Sequence, residues 1–100
     1  MSKVKKVKVT PNNPVSDLLI DEWFENVKDN DCIPVSTEAM LTRLRLAIVE
    51  GDIEPFILIN NGNEYMFNEH ARLNDNSAWP FEKNCDMVHK ILLNRFNKVK

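Results

Sequence analysis

Polar and apolar residues alternate near the start of the chain, where Val7 and Val9 interleave with Lys6 and Lys8. A period of two predicts a short strand with one solvated, lysine-bearing face that also discourages edge pairing. PNNP at residues 11–14 ends this strand, and Asn13 followed by Pro14 predicts the cap and first position of a helix. Ile20, Trp23, Phe24 and Val27 then recur at helical spacing up to about Lys28, with carboxylates on the other side. The stretch DNDCIPV, residues 29–35, reads as a loop with at most a short extended piece, because Pro34 drives Ile33 out of helical geometry.

Ser36 is expected to open a second helix with Glu38 in its first turn. Met40, Leu41, Leu44, Ala47 and Ile48 form its buried stripe, and Gly51 ends it in the left-handed conformation. Asn61-Gly62 predicts a two-residue hairpin turn, since a type I′ turn needs positive φ at both central positions. The turn sets the register: Asn60 opposite Asn63, Leu58 opposite Tyr65, Ile57 opposite Met66, Phe56 opposite Phe67. A polar segment, residues 68–80, leads to a third helix predicted over 82–97, with Cys85, Val88, Ile91, Leu92 and Phe96 on its apolar side. The expectation is one α+β domain over residues 1–100, in the order β-α-α-β-β-α. It combines a small antiparallel sheet, made of the N-terminal strand and the central hairpin, with three amphipathic helices.

The hairpin pattern raises the first functional question. Phe56, Leu58, Tyr65 and Phe67 fall on one face and Ile57, Ile59 and Met66 on the other, so both faces are apolar. An antiparallel hairpin ordinarily wets one face. Either helices cover both sides or one side meets a partner.

Composition narrows the class. One hundred residues, 43% hydrophobic and 28% charged, suit a globular chain able to bury a core. No apolar run reaches the ~18 residues of a membrane span, and MSKVKKVKV has no apolar block behind its lysines. A cytoplasmic protein with reduced thiols at Cys32 and Cys85 is expected. Thirteen asparagines beside ample Lys and Ile fit an AT-rich genome of the kind found in bacteria and phages. The net charge is only −2, which argues against a dedicated nucleic-acid binder. Its distribution is uneven: the ends are basic, whereas Asp17, Asp21, Glu22, Glu25, Asp29 and Asp31 crowd a stretch opposed only by Lys28.

The sequence carries no glycine-rich phosphate loop, no HExxH and no CxxC. Cys85 and His89 stand four apart, as a nucleophile and base on one helix face would, but Cys85 falls on the apolar stripe. Cys32, His70, Cys85 and His89 would complete a Cys2His2 zinc set, although only one pair is closely spaced. Asp21, Glu22 and Glu25 read more simply as a solvated helix face than as acid/base groups or Mg²⁺ ligands. The expectation is therefore no enzymatic activity, no cofactor and no metal.

Two binding readings remain. A helix carrying Arg43 and Arg45, then EGDIEPF, a hairpin and Tyr65-x-Phe67, resembles the recognition helix and wing of excisionase and MerR-like winged helices. That resemblance implies a DNA-binding regulator using helix 37–50 and hairpin 55–68. Glu50, Asp52, Glu54 and Glu64 surround the wing, where phosphates would be repelled. The other reading, and the leading one, is a small regulator or inhibitor encoded by a phage or bacterium that binds another protein. Phe24, Phe67 and at least one Trp are expected in the core. The partner-binding residues are expected to be Ile57, Ile59, Tyr65 and Met66 on the hairpin, Trp79 in the loop, and Asp21, Glu22 and Glu25 on the acidic helix, which would steer a basic partner. A homodimer through the unused hairpin face is a corollary.

Overall fold

The computed structural model describes residues 5–11, 19–75, 81 and 87–99, the last of these by backbone alone at 87–89 and 99. Its elements are β1 (Lys6–Val9), α1 (Ile20–Val27), β2 (Cys32–Val35), α2 (Glu38–Glu50), β3 (Ile57–Asn60), β4 (Asn63–Met66) and α3 (Met87–Val99). They build an α+β fold around one four-stranded sheet, ordered β2-β1-β3-β4.

The sheet is mixed, which corrects the expected antiparallel one. β1 pairs parallel with both β2 and β3, and only β3 and β4 are antiparallel. The physical reason lies in the connections: α1 carries the chain back between β1 and β2, and α2 does so between β2 and β3, so each new strand starts from the same end. A hairpin reverses direction and a helical crossover does not.

β2 is the short extended piece expected within residues 29–35, and it pairs as a strand of the sheet, which the expected element order did not include. Lys6 N donates to Asp31 O and Thr10 N to Val35 O, so Ile33 and Val35 turn their backbones toward β1 while Cys32 and Pro34 turn theirs outward. β2 lies at the sheet edge. The N–H that Pro34 lacks would have pointed away from the ladder, so the proline removes no sheet hydrogen bond there.

Hairpin register follows the expectation at every position: Ile57 opposite Met66, Leu58 opposite Tyr65 and Asn60 opposite Asn63. Phe67 N donates to Phe56 O at 3.1 Å. Asn61 at φ 53° and Gly62 at φ 82° supply the two positive angles.

Val7, Ile33, Val35, Leu58, Phe56 and Phe67 point from the sheet into a single core shared with Ile20, Trp23 and Phe24 of α1, most of α2, and Leu92 and Phe96 of α3. Phe56 and Phe67 meet at 4.9 Å between ring centroids, tilted by 47°. Such a pair adds about 0.5–1.5 kcal/mol beyond its area. All three helices thus lie over one face. In strand order the chain steps from β1 to β2, then past β1 to β3, and both α1 and α2 lie over that face.

α2 is the middle of the helical layer, and its residues from Glu38 to Leu44 are all buried. Its cap is Thr37, not Ser36 as expected: Thr37 Oγ1 accepts from Met40 N at 3.2 Å. Ser36 Oγ instead donates to Thr10 O, which ties the end of β2 to the exit of β1. Gly51 closes the helix at φ 82°, with Asp52 N donating to Ala47 O and Gly51 N to Ile48 O, the paired bonds of a Schellman ending. The expected caps of the first helix, Asn13 and Pro14, and the start of the third at 82–86 lie outside the described residues. Ile91, expected on the apolar side of α3, is 52% exposed; Leu92 and Phe96 carry the packing.

Candidate interaction surface

The helical side is closed by charge that points inward. Arg43 on α2 is only 5% exposed. Its Nε donates to Asp21 Oδ1 at 2.6 Å, its guanidinium lies 4.1 Å over the Phe24 ring, and its Nη1 lies 3.8 Å from Glu50 Oε1 without a hydrogen bond. Arg95 of α3 reaches the same Asp21 oxygen at 3.4 Å. One carboxylate thus joins all three helices. Burial pulls the Asp21 carboxyl upward, but hydrogen bonding and charge from Arg43, with a smaller part from Arg95, outweigh it and hold the group below its ordinary range.

Arg45 is also turned to packing. Its Nε donates to Ala71 O at 3.0 Å, and its guanidinium lies 4.9 Å over the Phe96 ring and 5.9 Å over that of Phe67. Burial lowers its pKa, with Glu38 opposing the shift. The winged-helix resemblance asks helix 37–50 to present Arg43 and Arg45 to a groove. Here that helix is the buried centre of the helical layer, and both guanidinium groups stack on phenylalanines.

The opposite side of the sheet is different. No helix or strand among the described residues lies over it. Strand pairing arranges its side chains in two rows: Cys32, Lys6, Ile57 and Met66 in one, and Pro34, Lys8, Ile59 and Glu64 in the other. Ile57 and Ile59 are half-buried and belong neither to the core nor to the residues packed against it. Met66 is 57% exposed. Lys6, Lys8 and Cys32 are exposed, and neither lysine meets a carboxylate among the described residues. The result is an apolar strip over β3 and β4 beside a basic stripe on β1.

One edge of this face is sealed. Met66 N donates to Asn74 Oδ1 at 3.2 Å and Asn74 N to Met66 O at 3.0 Å, while Phe67 bridges Leu73. The loop folds back because Asn68 Oδ1 accepts from both His70 N and Arg72 N. It also places Ala71, buried and at φ 58°, under Arg45.

The expected site residues therefore separate. Ile57, Ile59 and Met66 come together on the open face. Tyr65 points the other way and packs, half-buried, against the core. Asp21 is engaged with Arg43 and Arg95, Glu25 pairs with Lys28 at 3.0 Å, and Glu22 is exposed on the same helix. Trp79 and Cys85 lie outside the described residues. Of the conjectured zinc set, Cys32 sits on β2 and His70 in the loop beyond β4, at opposite edges of the sheet. Among the described residues, no group of three or more His, Cys, Asp and Glu side chains is placed to hold a metal. Nor is any described helix long and apolar enough to cross a membrane.

The sequence reading missed Lys6, Lys8, Cys32 and Pro34 as neighbours of the hairpin patch. The alternation around Val7 and Val9 marks Lys6 and Lys8 as outward-facing. Which hairpin residues they flank depends on parallel register, for which the sequence has no turn signal. No family model matches the chain, and neither a curated protein nor a solved structure matches it.

Proposed function

We propose that this chain is a non-enzymatic interaction module that binds another protein through the open face of its sheet. The observation that supports this reading is the position of Ile57, Ile59 and Met66 on a face that no helix or strand among the described residues covers, in a sheet whose described helices all lie on the other side. Parallel strands ordinarily have both faces covered. An apolar strip rimmed by charge is the surface a partner would complete. Exposed Glu22 and Glu25 on α1 form a second, acidic surface that contributes to steering rather than to the apolar contact. A role as a small regulator or inhibitor follows from binding without chemistry.

The test is capture of partners by the tagged protein from a lysate, with and without nuclease. A discrete protein that survives nuclease, and is lost when Met66 is changed to Glu, is the expected result. Recovery of nucleic acid, or of proteins that vanish after nuclease, would overturn the reading.

A further inference from the structure

We infer that the occupant of the open face is an amphipathic helix of the partner whose apolar stripe is flanked by acidic residues, and this inference rests on the interaction reading above. Three features of the face lead to it. The first is shape: a sheet face is closed most simply by a helix laid across it, as the other face of this sheet already is.

The second is the order of chemistry across the strands. Passing from β2 to β4, one row reads thiol, ammonium, isoleucine, methionine, and the next reads proline, ammonium, isoleucine, carboxylate. The positive charge is thus confined to β1 and the apolar surface lies to one side of it. A matching helix sets its apolar stripe over Ile57, Ile59 and Met66 and its carboxylates over Lys6 and Lys8. Glu64 sits beyond Ile59, away from the lysines, so acidic residues on the helix flank over β4 would be repelled and the acidic flank must be the one over β1.

The third is spacing. Lys6 and Lys8 stand two residues apart on a strand, about 6.6 Å. Residues four apart on a helix rise about 6 Å and share one side. Glu or Asp at i and i+4 therefore reach both ammonium groups, while an apolar pair at the same spacing reaches Ile57 and Ile59.

A second copy of this chain fits less well. Pairing two open faces about a two-fold axis brings four ammonium groups, Lys6 and Lys8 from each copy, into one interface, where Glu64 is the one carboxylate among the paired strand residues of that face. Like charges so placed disfavour the homodimer.

The experiment uses the full chain, labelled with ¹⁵N, and two synthetic helical peptides. The peptides share one Leu/Ile stripe; one carries Glu at the flanking i and i+4 positions and the other Lys. The Glu peptide is expected to shift the amides of residues 6–8, 57–59 and 64–66 and to bind at least tenfold more tightly than the Lys peptide. The preference should reverse in the K6E/K8E double variant, whose changes lie on exposed positions. Equal affinities, a tighter Lys peptide or no reversal would reject the acidic helix; if Met66→Glu still abolishes capture from lysate, the interaction reading survives that rejection. Shifts that grow with protein concentration alone would identify a second copy as the occupant and overturn the inference. Contacts from the Ile57 or Met66 methyl groups to another part of the same chain would overturn it too, and the interaction reading with it.

Discussion

Arg43 and Asp21 form the contact on which the helical layer turns: Nε of a nearly buried arginine donates at 2.6 Å to a carboxylate that is 62% exposed at the surface. The arginine is held by a partner that water can still reach. Replacing Asp21 by Asn leaves the guanidinium with Glu50 at 3.8 Å as its remaining carboxylate partner. Breaking a fully buried pair costs about 3–5 kcal/mol. The exposure of Asp21 screens the interaction, so a loss of about 1–2 kcal/mol in denaturant unfolding is expected. Combined with Arg43→Met, the two changes should cost less than their sum, because Met no longer needs the carboxylate. Simple additivity would show that the pair is not coupled.

Acid should act through the same carboxylate. Asp21 is held below its ordinary value of 3.8, so its contribution to stability is complete above that value and is lost as pH falls through the lower folded value. The wild-type thermal midpoint should therefore drop more steeply than that of Asp21→Asn as the pH is lowered from 5 toward the acid limit. Parallel curves for the two proteins would remove Asp21 from the acid response.

The hairpin turn allows a cleaner backbone test. A Cβ on Gly62 would meet nothing within 4 Å, yet its φ is 82°, so Gly62→Ala costs conformational energy alone. About 1 kcal/mol is expected, with the fold retained. At Asn61, φ 53°, a change to Gly should be neutral or slightly stabilising. Both are read from the midpoint of denaturant unfolding, and a neutral Gly62→Ala would contradict the type I′ turn.

Ala71 combines positive φ with complete burial, beneath the Arg45 contact. Val there adds volume where there is no exposed surface and a branched Cβ where the backbone is left-handed. Ala71→Val should destabilise by about 2 kcal/mol or more, whereas Ala71→Gly trades a lost methyl against relieved strain and should change stability little. Equal effects of the two substitutions would refute the strain argument.

These particulars show what the chain makes legible. The hairpin register could be read in full because Asn61-Gly62 fixes it locally. The end of α2 could be read because Gly51 has a geometric task. β2 was hidden by Pro34, which signals a break unless the strand is known to be an edge. The parallel placement of β1 depends on crossovers that bring together residues more than twenty positions apart, and no local pattern encodes it. The burial of Arg43 was not legible for a related reason: a charged residue reads as surface until its partner on another helix is known. Of the proposed site, Ile57, Ile59 and Met66 were legible from alternation, whereas the lysine stripe beside them needed the sheet order.

The acidic helix makes a kinetic prediction. If Glu22 and Glu25 of α1 steer a basic region of the partner, separate from its acidic contact helix, then Glu22→Lys with Glu25→Lys should slow association and flatten its dependence on ionic strength, leaving dissociation nearly unchanged. Surface plasmon resonance at two salt concentrations separates the rates. A change confined to dissociation would place these residues inside the contact instead.

Met66→Glu, scored together for partner capture and thermal midpoint, tests the open sheet face as a binding surface. Met66 is exposed and its side chain lies on the open face, so an almost unchanged midpoint and loss of the captured protein are expected. Undiminished capture would contradict the assignment of the open sheet face as the binding surface, and a collapsed midpoint would show that Met66 supports the fold.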